Sequence, residues 1–304
     1  MTFKTLRLTG YRACAATLCG LAAGAAAAGQ LDQIRESRQI TIAHRDASVP
    51  LSYVVGDDKK PVGYAVEICQ KIAEAVRKEL KLPALEVRYL SVTGANRIPT
   101  IVEGKAAIEC GSTTNTAARR QQVDFTIAHF IAASRFLTRS STSGTTISDL
   151  AGKTVVSTIG TTNIETLRRL DREQGLKLKI VEARDHAEAF SMVEKATADA
   201  FAMDDVLLYS LRATSGKPAD FQVIGKPMTI EPYAMMLPKG DAEFKRVVDT
   251  EMRRLIQSGE IYEIYRKWFM APIPPKGTNL ELPVPAILRD SFKYPSDKVG
   301  DVAS

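Results

Sequence analysis

Apolar residues recur along this chain with two alternating periods. Positions 39–43 and 85–89 alternate as strands do, and 106–110 forms a further short apolar run. Between the first two, Val66, Ile68, Ile72, Ala73, Val76 and Leu80 return near helical spacing across 64–80. A short helix is predicted over 98–102, and a polar helical stretch after Gly111. The pattern then restarts. A turn at 149–153 feeds a strand at 154–157, and Gly160 opens a helix over 162–174. A strand at 178–181, a helix at 186–196 and a strand at 200–203 follow, with Asp204-Asp205 opening another helix. A strand at 234–237 and helices at 244–258 and 261–269 close the series. The proline-rich segment 271–275 cannot be helical and should lie over the surface.

Strand–helix alternation of this kind predicts α/β lobes whose sheets are covered on both faces. The Ser/Thr/Gly stretch at 140–146 separates two such runs, so two lobes are expected. After Tyr233 helices resume without a new set of strands. The chain is therefore expected to return to the first lobe, leaving two crossover segments and a hinge. A length of 304 residues suits two domains that each bury a core.

Charge changes this picture little. The formal net charge is +6, but Lys4, Arg7 and Arg12 fall in residues 1–28, which carry no acid. Without them 38 basic and 35 acidic residues remain, too even a balance to predict nucleic-acid or membrane-surface binding. The same segment has a basic start, an apolar run from Ala13 to Leu21, small residues to Ala28 and then a polar junction. That is the order of a cleavable secretory signal. The run is too short to span a bilayer comfortably. Two of the four cysteines, Cys14 and Cys19, lie in it. Cys69 and Cys110 remain and are expected to be unpaired, since one sits in a helical pattern and the other at a strand end. No CxxC is present.

Catalytic signatures are absent. His44, His129 and His186 lack metal-ligand spacing, and there is no GxSxG elbow, GxxxxGK[ST] loop or GxGxxG turn. No metal or cofactor is expected. Polar residues instead cluster where strands end and helices begin, the edge at which open α/β sheets bind ligands. Arg45 and Ser48 follow the first strand. Gly94 and Arg97 precede the short helix. Ser112 and Thr114 follow Gly111, with Arg119 close behind. Thr161 and Thr162 open one helix and Asp204 another. Taken singly, Ser112, Thr114, Thr162 and Asp204 read as helix caps. Taken together, three arginines and several hydroxyls at helix starts suit an anion, because arginine pairs bidentately with carboxylates. Asp204, the only carboxylate placed there, suits an ammonium. An amino acid with two carboxylates satisfies the set.

The segments Pro61-Val62-Gly63-Tyr64, Gly94-Ala95-Asn96-Arg97-Ile98-Pro99, Glu109-Cys110-Gly111-Ser112-Thr113-Thr114-Asn115, Gly160-Thr161-Thr162, Asp185-His186, Met203-Asp204-Asp205 and Pro272-Ile273-Pro274-Pro275-Lys276 resemble the periplasmic glutamate/aspartate-binding proteins. These are family 3 solute-binding proteins of ABC amino-acid importers, and the resemblance runs from about Leu31 to Lys298. It implies a type II, two-lobed periplasmic-binding-protein fold. A signal peptide would occupy 1–28, one lobe 29–132 plus 234–304, and the other 133–233. It also implies that Arg119 clamps the α-carboxylate, with Ser112, Thr114 and Thr162 as further donors and Asp204 on the α-ammonium. Arg45, Arg97 and His186 would hold the side-chain carboxylate, with Ser48, Gly94, Thr161 and Tyr233 in supporting positions. Gly94 stands where the family has a ligand-binding Ser. Met235 stands where relatives can carry Cys, leaving Cys110 without that partner. The implied partners are L-glutamate or L-aspartate and an inner-membrane ABC permease. No nucleic acid is expected, and the protein should be a monomer in the periplasm. A same-fold dehydratase-type enzyme and a ligand-presenting chemoreceptor partner are the alternatives.

Overall fold

The computed structural model describes residues 29–298 together with Met1 and Thr2; the expected signal segment lies largely outside the described residues. In chain order, helix α1 (Gln30–Ser37) leads into β1 (Gln39–His44). A small sheet of β2 (Ala47–Ser48), β3 (Ser52–Val55) and β4 (Lys60–Val62) precedes α2 (Tyr64–Glu79). Then come β5 (Glu86–Ser91), α3 (Arg97–Val102), β6 (Ile108–Cys110), α4 (Ala117–Arg120), β7 (Val123–Phe125), β8 (Phe130–Ala132) and β9 (Ser134–Arg139). The middle of the chain holds β10 (Thr154–Thr158), α5 (Thr162–Gln174), β11 (Lys179–Ala183), α6 (His186–Glu194), β12 (Ala200–Asp204), α7 (Asp205–Thr214) and β13 (Phe221–Ile224). β14 (Glu231–Tyr233), β15 (Met236–Pro238), α8 (Ala242–Gln257), α9 (Glu260–Phe269), β16 (Pro272–Ile273), β17 (Thr278–Asn279) and α10 (Ala286–Lys293) complete it.

Two five-stranded sheets dominate, in the orders β5-β1-β6-β15-β7 and β11-β10-β12-β9-β13. Within the first, β1 runs parallel to β5 and β6, while β15 is antiparallel to β6 and β7. Within the second, β10 is parallel to β11 and β12, and β9 joins antiparallel between β12 and β13. Chain passes between the sheets where β8 pairs antiparallel with β14, Phe130 opposite Tyr233. The two-lobed type II fold is thus present, with two crossing strands side by side.

The helical period of α2 buries Tyr64, Ala65, Val66, Ile68, Cys69, Ile72, Ala73 and Val76. Its face packs with α8 and α9, whose buried sides carry Phe244, Val248, Met252 and Ile264, Tyr265, Phe269. Rings of Tyr64, Phe130, Tyr265 and Phe269 stack or meet edge-on, 4.2 to 6.2 Å between centroids, where the crossing strands meet this core.

Cys69 and Cys110 form a disulfide with Cα atoms 6.4 Å apart, correcting the expectation of two free thiols. Helix α2 and strand β6 are far apart in sequence, but α2 lies on the face of the sheet toward which Ile108 and Cys110 point. Periodicity does not report that distance. Helix α1 and helix α10 were not predicted. Only Leu31 and Ile34 of α1 are buried, and α10 follows Pro283 and Pro285 with Leu288 and Phe292 as its buried residues. The tail 271–275 is non-helical as expected, and Ile273 in it is buried. Among the described residues no helix is long and apolar enough to cross a membrane.

Candidate functional site

Parallel strands bring their carboxyl ends to one edge, so the loops after β1, β5 and β6 converge, as do those after β10, β11 and β12. The two edges face each other. Arg45 follows β1 and is 1% exposed; Arg97 begins α3 and is also 1% exposed; Arg119 in α4 is buried. Arg97 donates from Nη1 to Thr113 Oγ1 at 2.7 Å and from Nη2 to the Gly160 carbonyl at 3.1 Å. Arg119 donates from Nη1 to the Thr114 carbonyl at 2.8 Å and from Nη2 to the same Gly160 carbonyl at 3.1 Å. Gly160 belongs to the loop after β10, so two arginines from the first sheet's edge meet one acceptor on the second.

The remaining predicted residues surround this junction. Ser112 Oγ lies 3.2 Å from Ser48 Oγ. Thr161 donates to the Thr158 carbonyl at 2.7 Å, and Thr158 Oγ1 shares a 2.8 Å hydrogen bond with His186 Nδ1. Asp204 accepts from Asn163 Nδ2 at 2.9 Å and from the Tyr233 hydroxyl. Thr162, at the start of α5, donates to Glu231 Oε2 at 2.9 Å. None of the four cap candidates caps a helix through its side chain. Thr116 caps α4 instead, and Asp204 occupies the N-cap position of α7 without a side-chain cap bond. The Asp205 carboxylate takes the Val206 and Ala133 amides.

Two carboxylates were missed. The expectation of a single acid in the cleft fails, because Glu109 and Glu231 are also buried, 0% and 1% exposed. Glu109 lies in β6 between Ile108 and Cys110, on the opposite face of the strand, and feels the charges of Arg97, Arg45 and Arg119. A charged residue inside the apolar run 106–110 was the available signal. Glu231 lies in β14, where Thr162 and Thr229 both donate to it. Nothing in its local sequence sets it apart from a loop acid.

The cluster sets three buried arginines against three buried carboxylates, Glu109, Asp204 and Glu231. Burial lowers Arg45 to about 10 and Arg119 to about 9, each aided by the like charge of Arg97. Both remain charged at neutral pH. Burial pushes the Glu109 carboxyl up against the pull of the arginines. Asp204 is pushed up to about 7, chiefly by burial and then by the neighbouring Glu231. Burial lowers His186, with Arg45 and Arg97 adding to the effect, so its imidazole is neutral. Several buried polar atoms here have no protein partner: Arg45 Nη1, Arg97 Nε and His186 Nε2. Buried polar groups are ordinarily paired. Donors aimed into a cleft between two lobes can pair with the oxygens of a small anion, and Asp204 with a cation. Among the described residues no cluster of His, Cys, Asp and Glu could hold a metal ion. A separate apolar groove bordered by Ile131, Tyr209, Ile230 and Pro283 contains none of these arginines.

Residues 40–271 match the bacterial extracellular solute-binding proteins, family 3. The L-glutamate/L-aspartate-binding protein of Pseudomonas aeruginosa is 44% identical over 273 residues, 90% of each chain. The glutamate/aspartate import solute-binding protein of Escherichia coli is 38% identical over 276 residues, 91% of each chain. Among solved structures, the solute receptor for L-cysteine of Neisseria gonorrhoeae superposes with a TM-score of 0.69 at 23% identity. That alignment covers 80% of this chain and 94% of the other, and shows the shared fold. The relatives are binding proteins, and the dehydratase-type alternative finds no support among them. The chain belongs to the family 3 bacterial extracellular solute-binding proteins.

Proposed function

We propose that this protein captures L-glutamate or L-aspartate in the cleft between its lobes and delivers it to an inner-membrane ABC permease. One observation carries the reading: three buried arginines converge on a cleft where donors of Arg45 and Arg97 have no protein partner. The names of the relatives at 44% and 38% identity support the same ligands. Glutamate and aspartate carry net charge −1. Arg45 and Arg119 stay charged at neutral pH, while burial raises Glu109 and Asp204 and so favours their uncharged forms. The start of α5, which no side chain caps, adds backbone N–H groups.

In this reading Arg119 clamps the α-carboxylate and Asp204 takes the α-ammonium. Arg45, Arg97 and His186 hold the side-chain carboxylate. Ser112, Thr114 and Thr162 contribute donors, although the Thr162 hydroxyl already serves Glu231 and would act through its backbone N–H or by switching partner. Residues 29–132 with 234–304 form one lobe and 133–233 the other. The mature chain works as a monomer in the periplasm, after residues 1–28 are removed. The test is to unfold, dialyse and refold the mature chain, then titrate it calorimetrically with the twenty amino acids. Saturable heat with L-glutamate or L-aspartate is expected. A response confined to neutral or basic amino acids would refute the reading.

A further inference from the structure

Tyr233, buried in the crossing strand β14, reaches both halves of the site. Its backbone forms an isolated antiparallel bridge with Thr114, and the next amide, of Ala234, donates to the Thr113 carbonyl at 3.0 Å. Those two threonines hold the arginines. Thr113 Oγ1 accepts from Arg97, and the Thr114 carbonyl accepts from Arg119. The Tyr233 carbonyl accepts from the His129 amide at 2.9 Å, and its ring packs on Phe130, 6.0 Å between centroids. Main chain and ring are thus tied to the arginine side. The hydroxyl crosses to the other side and donates to Asp204 Oδ2, at the end of β12 in the second sheet. Contacts therefore run from Arg119 through Thr114 and Tyr233 to Asp204. An α-amino acid carries its ammonium and its α-carboxylate on one carbon, so bond lengths fix their separation. A site that takes both must hold a carboxylate and a guanidinium at a matching distance.

We propose that Tyr233 is a positioning residue for amino-acid capture, its hydroxyl holding Asp204 as an oriented carboxylate at the distance from Arg119 that an α-amino acid requires. The inference rests on the binding reading above and adds the group that sets its ammonium end. Several groups face Asp204. Asn163 of α5 donates to Oδ1 at 2.9 Å, which leaves Oδ2 to the tyrosine. Glu231 of β14 and Asp205 of α7 add negative charge and, with burial, press Asp204 toward its protonated form. Arg97 and Arg119 feel its charge from the opposite edge. Ser134, paired with Asp204 from β9, is neutral. Against burial and the two acids stand the two hydrogen-bond donors, Tyr233 and Asn163, which favour the carboxylate. Burial keeps the Tyr233 phenol well above its ordinary range, so it remains a donor between pH 6 and 8. Without that hydroxyl, Oδ2 loses its donor and the carboxylate forms only at higher pH. Affinity for an ammonium then falls, and recovers as pH rises.

The experiment compares the parent chain with Tyr233→Phe, which keeps the ring and removes the hydroxyl. L-glutamate and L-aspartate affinities are measured by calorimetry from pH 6 to 8, in buffers of different ionisation enthalpy, with ligand-free thermal melting alongside. The expected variant melts close to the parent and binds both ligands about tenfold more weakly at pH 7. The gap narrows by pH 8, and at pH 7 the variant releases more proton per ligand bound than the parent does. A loss of packing alone would weaken binding equally at every pH and release no extra proton. That result, or parental affinity at pH 7, would overturn the role of Tyr233 while leaving the acidic-amino-acid reading intact. So would a variant that melts far below the parent, because the hydroxyl would then serve the fold. A flat pH profile in the parent would remove Asp204 from the ammonium end, and this inference with it, without touching capture of an acidic ligand. Failure of the parent itself to bind either ligand would overturn both.

Discussion

Asp204 is the residue in which function and titration are most tightly joined. It is buried, beside Glu231, and held by Tyr233 and Asn163. Burial and the neighbouring acid favour its protonated form and raise it to about 7. An unfolded aspartate titrates near 3.9. Between these values the ligand-free folded chain therefore holds the extra proton, and Asp204 weakens ligand-free stability as pH rises from about 4 through 7. Ammonium binding has the opposite sign, because it favours the carboxylate and releases that proton. Affinity for L-glutamate should rise as pH increases toward about 7 and level off above it, with proton release visible when calorimetry is repeated in buffers of different ionisation enthalpy. Asp204→Asn should lose most of the affinity and flatten the profile. An unchanged profile would remove Asp204 from the ammonium role. Arg97 is proposed to serve a different end of the ligand. Its Nε has no partner, and burial lowers it more than the charge of Glu109 restores, so a ligand carboxylate would complete its pairing. Arg97→Ala should cost several kcal/mol for the acidic ligands, and aspartate affinity equal to the parent's would count against the assignment. The arginines were legible as residues because they recur at strand ends. Glu109 was not, because strand alternation hides which face a single charged position takes until the sheet is assembled.

The helices were the most readable elements. Helix α5 spans Thr162–Gln174, the range its apolar spacing predicts, and α2, α6, α8 and α9 differ from expectation only at their ends. Their periodicity is written by the core they cover. Strands β8, β9, β13 and β14 were harder. They join antiparallel partners distant in sequence, and three of them are only three or four residues long, too short for alternation to stand out. Helix α1 buries two residues and so carries almost no pattern. The Cys69–Cys110 bond belongs at this level, since it ties α2 to β6, the strand that carries Glu109 and leads to Ser112. The bond closes a loop of 41 residues in sequence separation, which on the chain-entropy argument contributes about 3–4 kcal/mol. Cys69→Ala with Cys110→Ala, or reduction of the parent, should lower the melting temperature by roughly 10 °C. A melting temperature equal to that of the oxidised parent would show that packing of α2 alone fixes β6.

The sheets and the crossing strands give the molecule its working form. Each parallel strand set aims its carboxyl edge at the cleft, and β8 beside β14 joins the two sheets. The proposed recognition set is split between the edges of the two sheets. Arg45, Arg97 and Arg119 come from the edge of one sheet. Thr162, His186 and Asp204 come from the other. On the proposed reading neither half alone surrounds a two-carboxylate amino acid, which would couple binding to closure. Arg119 touches both halves, through Thr114 on its own side and Gly160 on the other, and tests this coupling most directly. Calorimetric titration of refolded parent and Arg119→Ala with L-glutamate and L-aspartate should show saturable binding by the parent and nearly none by the variant for either ligand. Near-parental affinity in Arg119→Ala would contradict the account.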